Sequence, residues 1–430
     1  MPDDKFRINI FDMVTSIARV VDMMSPAIGN HNLQVSYLAY RMGEGLGLAV
    51  EDRNELLVAG ALHDIGAFSL KEWNDLLEFE CTMPGRHSLA GYFLLKDFKP
   101  FSSVSEMIRY HHVPWKDSDN FSTTVQSVPL GSHIIHLADR ISVRIEKAKP
   151  VLGQVPDICD AISAGRNKDF APQAVDIMLD LASHDYIWME LSSDFLEKIL
   201  QRNFMNRTRE LVIDEFLDFA TLICRLIDFK SEFTATHSTG VATTAVEIAR
   251  LCGFSKYECK LIKIAACLHD LGKVAIPSEI LEKKGKLSES EWHVMRSHAY
   301  YSYQILEPFD ALGAVCSWGT LHQERLNGTG YPFGYKVDEL PLGARIMAAA
   351  DVFTAITENR PYRAGMDKKS AIAVLTSMAT NGELDQVIVN LILKNYDEIN
   401  QIRDASQHEA TKNFTEFQKM IDSVYPEMNK

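Results

Sequence analysis

The feature that most constrains this chain is a histidine and an aspartate side by side in an apolar helical segment. The segment LIKIAACLHDLGK spans residues 261–273, and its apolar positions recur at helical spacing up to His269 and Asp270. An unpaired charge buried in such a helix is costly, so both side chains need a partner inside the protein. Imidazole and carboxylate are common metal ligands, which makes a metal ion one candidate. The alternative is a His–Asp pair hydrogen-bonded within a helical core, and this segment alone leaves both open.

Length and composition describe an ordinary globular protein and argue against several functions. The 430 residues suffice for two or three domains, with 46% hydrophobic and 24% charged residues. A net charge of −14 argues against binding polymeric nucleic acid or an anionic membrane, because both need basic surface. The seven cysteines form no CxxC pair, and neither a signal-peptide pattern nor a run of roughly 20 apolar residues occurs. We therefore expect a reduced, cytoplasmic protein.

Helical periodicity runs through the whole chain, and no alternating stretch is long enough to suggest a sheet. The sequence therefore predicts an all-α protein. Its two halves follow the same plan, and a long amphipathic helix over residues 209–230 is predicted to join them. The predicted domains are residues 1–205 and residues 206–430, each a helical unit with its own core.

The spacing of histidines and aspartates repeats from one half to the other. Each half contains a His, a His–Asp pair, two further His and an Asp, in that order. The step from the first His to the pair is 32 residues in both halves, and the step between the two later histidines is 24 in both. Chance does not readily produce two such sets, so they indicate a duplicated helical metal-binding domain. The corresponding positions are His31, His63, Asp64, His87, His111 and Asp139 in the first half, and His237, His269, Asp270, His298, His322 and Asp351 in the second.

This all-helical set resembles the HD superfamily of metal-dependent phosphohydrolases, and the second half resembles the HD-GYP family. The resemblance implies hydrolysis of cyclic dinucleotides, chiefly cyclic di-GMP and in some members 3′3′-cGAMP, at a centre of two or three iron or manganese ions. The segments that carry it are HDLGK (269–273), Ile276-Pro277, HQERLNGTGYP (322–332), PLGARI (341–346) and ADVFTAITENRPYR (350–363).

The resemblance implies roles for individual residues of the second half. Asp270 would bridge two metal ions that activate a water, and Lys273 would stabilise charge on the scissile phosphate. Tyr331 would contact the substrate, although the glycines around it also suit a plain tight turn. The implied metal ligands are His237, His269, Asp270, His298, His322 and Asp351. The implied substrate-binding residues are Lys273, Gly330, Tyr331, Pro332, Arg360 and Arg363, where the two arginines have the alternative of a solvated helix end.

Two positions depart from the family pattern. Gln323 stands where members often have a second histidine before the GYP loop. Phe233, with Glu232 one residue away, stands where some members have a glutamate. Both changes remove ligands associated with a third metal. We therefore predict a binuclear centre of iron or manganese, a kind of site that other divalent ions can also occupy.

The first half keeps the ligand pattern but lacks residues that would hold a cyclic dinucleotide. Ala67 stands in place of Lys273, and VPWKDSDNF (113–121) replaces the GYP loop. We expect a degenerate HD domain that packs, dimerises or regulates, rather than a second active site. Its histidines either hold metal or are satisfied core residues. The residues of this second metal site would be His31, His63, Asp64, His87, His111, His112 and Asp139.

The leading hypothesis is a phosphodiesterase that opens a cyclic dinucleotide to a linear 5′-phosphorylated product, with Asp270 and Lys273 as catalytic residues. One alternative is a non-hydrolytic cyclic dinucleotide sensor, which Gln323 motivates. Another is a broader HD nucleotidase that acts on monophosphates. The sequence does not separate cyclic di-GMP from 3′3′-cGAMP, because purine selectivity depends on pocket shape. A homodimer is compatible with the amphipathic helix at 209–230.

Overall fold

The described part of the chain is almost entirely helical. The computed structural model describes residues 5–23, 29–67, 85–121, 127–203, 208–229, 236–309, 312–359 and 363–428. Twenty α-helices in these ranges confirm the predicted all-α class. Two short strands, β1 (Lys5–Asn9) and β2 (Thr208–Val212), pair with each other. The sequence analysis missed this pair, because five residues are too few for an alternation to stand out.

The chain folds into two compact units. The N-terminal unit contains residues 9–209 and 419–430, and the C-terminal unit contains residues 1–8 and 210–418. The predicted domains place the first residues in the N-terminal domain and the last residues in the C-terminal domain. The structure instead groups each chain end with the other unit. Residues 5–8 join the C-terminal unit through the pairing of β1 with β2. In the N-terminal unit, Asp422 Oδ1 lies 3.0 Å from Arg86 Nη1.

The N-terminal unit is built around helix α2, which packs against α3 and α6. Asn30 precedes α2 with a φ of 64°, a left-handed conformation that asparagine tolerates better than most residues. The chain therefore turns sharply into α2, and His31 becomes its first residue. The helices are α1 Ile10–Met23, α2 His31–Gly45, α3 Val50–Leu62, α4 Gly85–Leu95, α5 Ser105–Arg109, α6 Leu130–Arg144, α7 Val155–Ala164, α8 Pro172–Ala182, α9 Asp185–Leu191 and α10 Leu196–Asn203.

The C-terminal unit repeats this central packing, because helix α12 lies against α13 and α17. The helix predicted at 209–230 is α11, which packs against α13 within this unit. The helices are α11 Ile213–Phe229, α12 His237–Leu251, α13 Lys256–Leu268, α14 Ser278–Leu281, α15 Glu289–Leu306, α16 Gly313–Thr320, α17 Leu342–Thr357, α18 Lys368–Thr380, α19 Gln386–Lys394 and α20 Tyr396–Met428, the last extending beyond the unit. Among the described helices, none combines the length and apolar character needed to cross a membrane.

A glycine after each His–Asp pair allows two backbone segments to pack closely. A Cβ built on Gly272 would lie 2.0 Å from the carbonyl oxygen of His298, and one on Gly66 would lie 2.1 Å from that of His87. Neither distance can be accommodated without moving the backbone, so both positions need glycine. In each unit this close contact places the His–Asp turn beside the helix that carries the next histidine.

We expect Gly272→Ala to lower the free energy of unfolding by about 1–3 kcal/mol, because the added methyl group must displace the backbone of α15. Urea denaturation followed by circular dichroism measures this difference. Gly313→Ala is the matched control, since no atom of the described residues lies within 4 Å of a Cβ built there. Equal stability of Gly272→Ala and the wild type would contradict the close packing.

Candidate metal centre

The C-terminal unit brings its six predicted metal ligands together around Asp270. Oδ1 of Asp270 lies 3.4 Å from His298 Nε2 and 3.7 Å from His322 Nε2. Its Oδ2 lies 3.0 Å from His269 Nε2. Because both carboxylate oxygens face imidazole nitrogens, Asp270 occupies the middle of the cluster.

The remaining two ligands extend the cluster on one side. His237 is the first residue of α12, and its Nε2 lies 3.2 Å from Oδ1 of Asp351 on α17. One ligand atom from each of His237, His269 and Asp351 lies within 4.8 Å of the others, and the same holds for His269, Asp270 and His322. The two groups overlap at His269, and the two carboxylate oxygens of Asp270 face different imidazoles, so the residues could hold metal ions at two neighbouring positions.

Backbone hydrogen bonds orient three of the histidines. Each Nδ1 lies 2.7 Å from a carbonyl oxygen three residues earlier in the chain. A carbonyl oxygen only accepts, so Nδ1 carries the proton and Nε2 directs its lone pair at the centre. Such a bond to the outer nitrogen is characteristic of metal-ligating histidines. The three pairs are His269 with Ala266, His298 with Met295, and His322 with Gly319.

Among the residues that the structure describes, two buried atoms at the centre have no hydrogen-bond partner, namely His269 Nε2 and Asp270 Oδ1. The Nε2 atoms of His298 and His322 also face each other at 3.5 Å. Lone pairs that converge in a buried space repel unless a proton or cation lies between them, and unsatisfied buried polar atoms are costly. This donor set of imidazole nitrogens and carboxylate oxygens fits a metal centre.

The surroundings of Asp270 and His322 favour the deprotonated forms of these two ligands. Burial alone would raise the pKa of Asp270, but the charges of His269 and Lys273 outweigh it and hold that pKa well below its usual range. Burial, helped by His269, lowers the pKa of His322 to about 3. A carboxylate and a neutral imidazole are the forms that bind metal, so no proton has to leave these two residues first.

Glu358 is a site residue that the sequence analysis missed. It is buried, and its Oε2 lies 3.0 Å from Nδ1 of His237. Glu358 therefore accepts the Nδ1 proton of His237, as backbone carbonyls do for the other histidines, and Gln407 donates to the same oxygen at 3.1 Å. The signal in the sequence is its position seven residues after Asp351, about two helical turns, which brings both carboxylates to one side of α17, whose last residue is Thr357.

Glu324, also missed, holds the GYP loop in place. This buried carboxylate accepts hydrogen bonds from the backbone N–H groups of Phe333, Gly334 and Tyr335 at 2.7–3.2 Å. A Cβ on Gly330 would lie 2.4 Å from Cα of Glu324, so the loop passes directly over this residue. A buried glutamate that accepts three backbone donors gives the loop a defined shape.

The GYP loop lies beside the metal ligands. The peptide bond between Tyr331 and Pro332 is cis. The ring centroids of Tyr331 and His298 are 6.3 Å apart, so the tyrosine lines the centre. A tight turn at this position also brings Tyr331 beside the metal ligands, so the two interpretations of the loop do not exclude each other. Contact of Tyr331 with the substrate stays a prediction.

The other predicted site residues lie at different distances from the centre. Lys273 forms an ion pair with Asp270 Oδ2, and Gln323 Nε2 donates to Asp351 Oδ2 at 3.2 Å. Arg363 is exposed and donates to the carbonyl oxygen of Ala355. Phosphate binding by Arg363 stays a prediction, as it does for Arg360. Arg360, Glu232 and Phe233 lie outside the described residues.

The N-terminal unit builds the same arrangement from its own ligands. Asp64 Oδ2 lies 3.1 Å from His63 Nε2, and its Oδ1 lies 3.3 Å from His87 Nε2. His31 Nε2 lies 3.4 Å from Asp139 Oδ1. His63 Nε2 and Asp64 Oδ1 have no hydrogen-bond partner in the described part of the chain, and these atoms correspond to the two unsatisfied atoms of the C-terminal unit. The duplicated spacing therefore corresponds to a duplicated site.

Both His111 and His112 reach the cluster of the N-terminal unit. His87 Nε2 lies 3.3 Å from His111 Nε2 and 3.1 Å from His112 Nε2, and Asp64 completes this group. In the C-terminal unit, Gln323 stands at the position of His112 and is turned toward Asp351. The N-terminal unit thus has three imidazoles at this position, from His87, His111 and His112, whereas the C-terminal unit has two, from His298 and His322.

Comparisons with known proteins agree with this duplicated fold. A family model described as "HD domain" matches residues 28–144, and a second model with the same description matches residues 221–388. This chain belongs to the HD-domain family, with two copies of the domain in tandem and the GYP motif in the second.

Several relatives resemble large parts of the chain. It is 29% identical over 408 residues to 3′3′-cGAMP-specific phosphodiesterase 1 of Vibrio cholerae, covering 93% of this chain and 94% of the relative. Identity is 36% over 185 residues to the cyclic di-GMP phosphodiesterase response regulator RpfG of Xanthomonas campestris, 42% of this chain and 48% of that protein. A crystal structure of the cyclic GMP-AMP-specific phosphodiesterase V-cGAP3 of V. cholerae matches the fold. Its TM-score is 0.63 at 22% identity, over 91% of this chain and 98% of that one.

We expect Glu358→Ala to weaken metal binding by the C-terminal unit about 10- to 100-fold, because His237 loses the group that orients its ring. Metal titration against a competing chelator, in an Asp64→Ala background, measures this change. Glu282→Ala, an exposed glutamate of the same unit, serves as the control. Unchanged affinity in Glu358→Ala would show that His237 needs no such support.

Giving each unit the residue type that the other has at this position, by Gln323→His or His112→Gln, should change the amount of metal that the protein retains. We expect Gln323→His to raise the metal content retained after dialysis, because it adds an imidazole to the second position. His112→Gln should lower it for the opposite reason. Elemental analysis of anaerobically purified protein gives both values. Equal contents in the two variants and the wild type would mean that neither side chain acts as a ligand.

Proposed function

We propose that this protein is a metal-dependent phosphodiesterase that hydrolyses cyclic dinucleotides. It opens one phosphodiester and releases a linear 5′-phosphorylated dinucleotide. The observation that carries the proposal is the ammonium group of Lys273, which is paired with Asp270 among the converging ligands, while Tyr331 lines the same centre beside His298. The relatives named as 3′3′-cGAMP and cyclic di-GMP phosphodiesterases support the substrate class.

The chain's own groups can bind and orient a phosphodiester. Bound metal ions would supply an activated water and neutralise charge on the phosphoryl oxygens. The Lys273 side chain is 19% exposed, so its ammonium can reach a ligand while Asp270 holds it in position. A cation fixed in advance stabilises the negative charge that develops on the phosphate. Burial and the nearby Asp351 raise the pKa of Tyr331, so its hydroxyl stays protonated and can donate to a substrate oxygen.

We propose that the C-terminal unit holds a binuclear centre of iron or manganese. The two oxygens of Asp270, which face different imidazoles, support two ions, and the mixture of imidazole and carboxylate suits these metals. The ligands are His237, His269, Asp270, His298, His322 and Asp351. The bound dinucleotide would contact Lys273, the GYP loop at Gly330, Tyr331 and Pro332, and the arginines Arg360 and Arg363.

The N-terminal unit, in this proposal, binds metal without hydrolysing the dinucleotide. Its ligand set supports metal binding, whereas Ala67 supplies no cation where the C-terminal unit has Lys273. Such a unit can stabilise the fold, dimerise or regulate. We place the protein in the cytoplasm, since the six described cysteines are free thiols, as a reducing compartment would keep them.

A non-hydrolytic cyclic dinucleotide sensor is the second candidate, and one observation favours it. Gln323 occupies a position where an additional histidine would strengthen the second metal position, and its amide is engaged by Asp351. Weak metal binding there would allow the dinucleotide to bind without turnover. The same assay separates this candidate from hydrolysis, since a sensor binds the ligand and forms no product.

Anaerobically purified protein with Fe or Mn should convert 3′3′-cGAMP, cyclic di-GMP or both to a linear dinucleotide, resolved by chromatography. Asp270→Ala should abolish the product, because it removes the central carboxylate that faces His269, His298 and His322. Asp64→Ala, the same change in the N-terminal unit, should retain activity. The other outcomes of this assay identify the alternative functions. Absence of product with measurable nucleotide binding would favour the non-hydrolytic sensor.

Free phosphate released from nucleoside monophosphates would instead indicate a broader nucleotidase. Size-exclusion chromatography of the same sample tests for a homodimer.

A further inference from the structure

Two side chains of α15, Trp292 and Arg296, lie against Tyr331 of the GYP loop and have no role in the chemistry described so far. Tyr331 is the centre of this group, and Arg296 and Trp292 flank it. The Arg296 guanidinium lies 4.7 Å from the centroid of the Tyr331 ring. The Trp292 and Tyr331 ring centroids are 6.2 Å apart, with the rings nearly perpendicular. We call these three residues the aromatic wall.

The aromatic wall begins at the metal ligands and leads away from them. The ring centroids of His298 and Tyr331 are 6.3 Å apart, and a second step of 6.2 Å reaches Trp292. Trp292 and Arg296 are four residues apart on α15, so they occupy neighbouring turns of one helix face. A ligand anchored at the metal ligands by one phosphate could therefore extend along this face.

Arg296 is half-buried, and its charge is not neutralised by any described protein group. Within the residues that the structure describes, its guanidinium has the Tyr331 ring as a neighbour but neither a hydrogen bond nor an ion pair. Other arginines of the same unit are engaged, for example Arg250 by Glu247 and Arg345 by Asp385. A guanidinium held over an aromatic ring keeps its N–H donors available, and those donors match the oxygens of a phosphate.

Trp292 offers a large apolar surface next to this cation. It is 45% exposed, although its ring is supported edge-on by Tyr331. An exposed tryptophan beside a charged group is suited to stacking on a nucleobase, because every base has an apolar π-face. The purine and phosphate groups of one ligand would thus meet complementary partners on the wall.

We propose that the aromatic wall binds the half of the cyclic dinucleotide that is not cleaved, with Arg296 on the second phosphate and Trp292 stacked on a purine base. This inference rests on the proposed function and extends it. The GYP loop is held by Glu324 and does not have to be ordered by the ligand. The wall is therefore preformed, and its contacts serve binding and orientation.

The experiment compares two substrates in the full-length, metal-loaded protein. One is the better cleaved of 3′3′-cGAMP and cyclic di-GMP. The other is methyl p-nitrophenyl phosphate, a phosphodiester without a purine or a second phosphate. We expect Trp292→Ala to raise KM for the dinucleotide about tenfold, through loss of stacking. Arg296→Gln should raise it by a similar factor of about ten, through loss of a charged hydrogen bond. The ratio of the two substrates' kcat/KM values should fall accordingly.

Conservative variants and a neighbouring control separate binding from folding. Trp292→Phe and Arg296→Lys should recover much of the dinucleotide KM, since they retain an aromatic face and a positive charge. Val294→Ala, at an exposed position on another face of α15, should match the wild type in both reactions. Circular dichroism and metal content establish that each variant is folded and loaded.

The outcomes distinguish this inference from the proposed function. A wild-type KM for the dinucleotide in both Trp292→Ala and Arg296→Gln, with active wild-type protein, overturns the inference alone. Equal losses with both substrates also overturn it, because they would place the two residues in support of the metal centre. Absence of dinucleotide cleavage by the wild type overturns the proposed function and the inference with it.

Discussion

The structure depends on lone pairs that converge in a buried space. In each unit a central aspartate, Asp64 or Asp270, is surrounded by imidazole nitrogens whose protons are held on the far side of the ring. A helical core would not tolerate these groups without a cation, because their desolvation is expensive and their lone pairs repel. The metal centre and the fold are therefore coupled: the helices bring the ligands together, and a bound ion would remove the repulsion between them.

A second set of buried groups supports the first. Backbone carbonyls orient most of the histidines, and Glu358 does the same for His237. Glu324 holds the GYP loop through three backbone hydrogen bonds, which fixes Tyr331 beside the ligands. These carboxylates give the site its shape, whereas the ligands give it its chemistry. Their burial makes them intolerant of substitution even though they need not touch a substrate.

Duplication has produced two similar sites that differ in the residues around the shared set of histidines and aspartates. The N-terminal unit keeps His112 and lacks a lysine after its His–Asp pair. The C-terminal unit has Gln323 in place of that histidine but gains Lys273 and the GYP loop. In the proposed function, the N-terminal unit therefore contributes metal binding and the C-terminal unit contributes the phosphate chemistry. One physical reason is that a ligand set needs only correct spacing, whereas catalysis also needs a cation and a surface for the substrate.

The sequence by itself determined the helical class, the duplication and the six candidate ligands of the C-terminal site, because the spacing of histidines and aspartates and apolar periodicity are local properties of the chain. It also placed Gln323 and Lys273 beside the centre. Only the tertiary structure decided that both His111 and His112 reach the N-terminal cluster, that Glu358 and Glu324 support the C-terminal one, and that Trp292 and Arg296 flank Tyr331. These facts depend on contacts between segments far apart in the chain, and the orientation of a side chain across such a contact is set by packing. The assignment of residues 5–8 to the C-terminal unit depended on tertiary structure for the same reason. Pairing of β1 with β2 joins two segments that are about 200 residues apart in the chain.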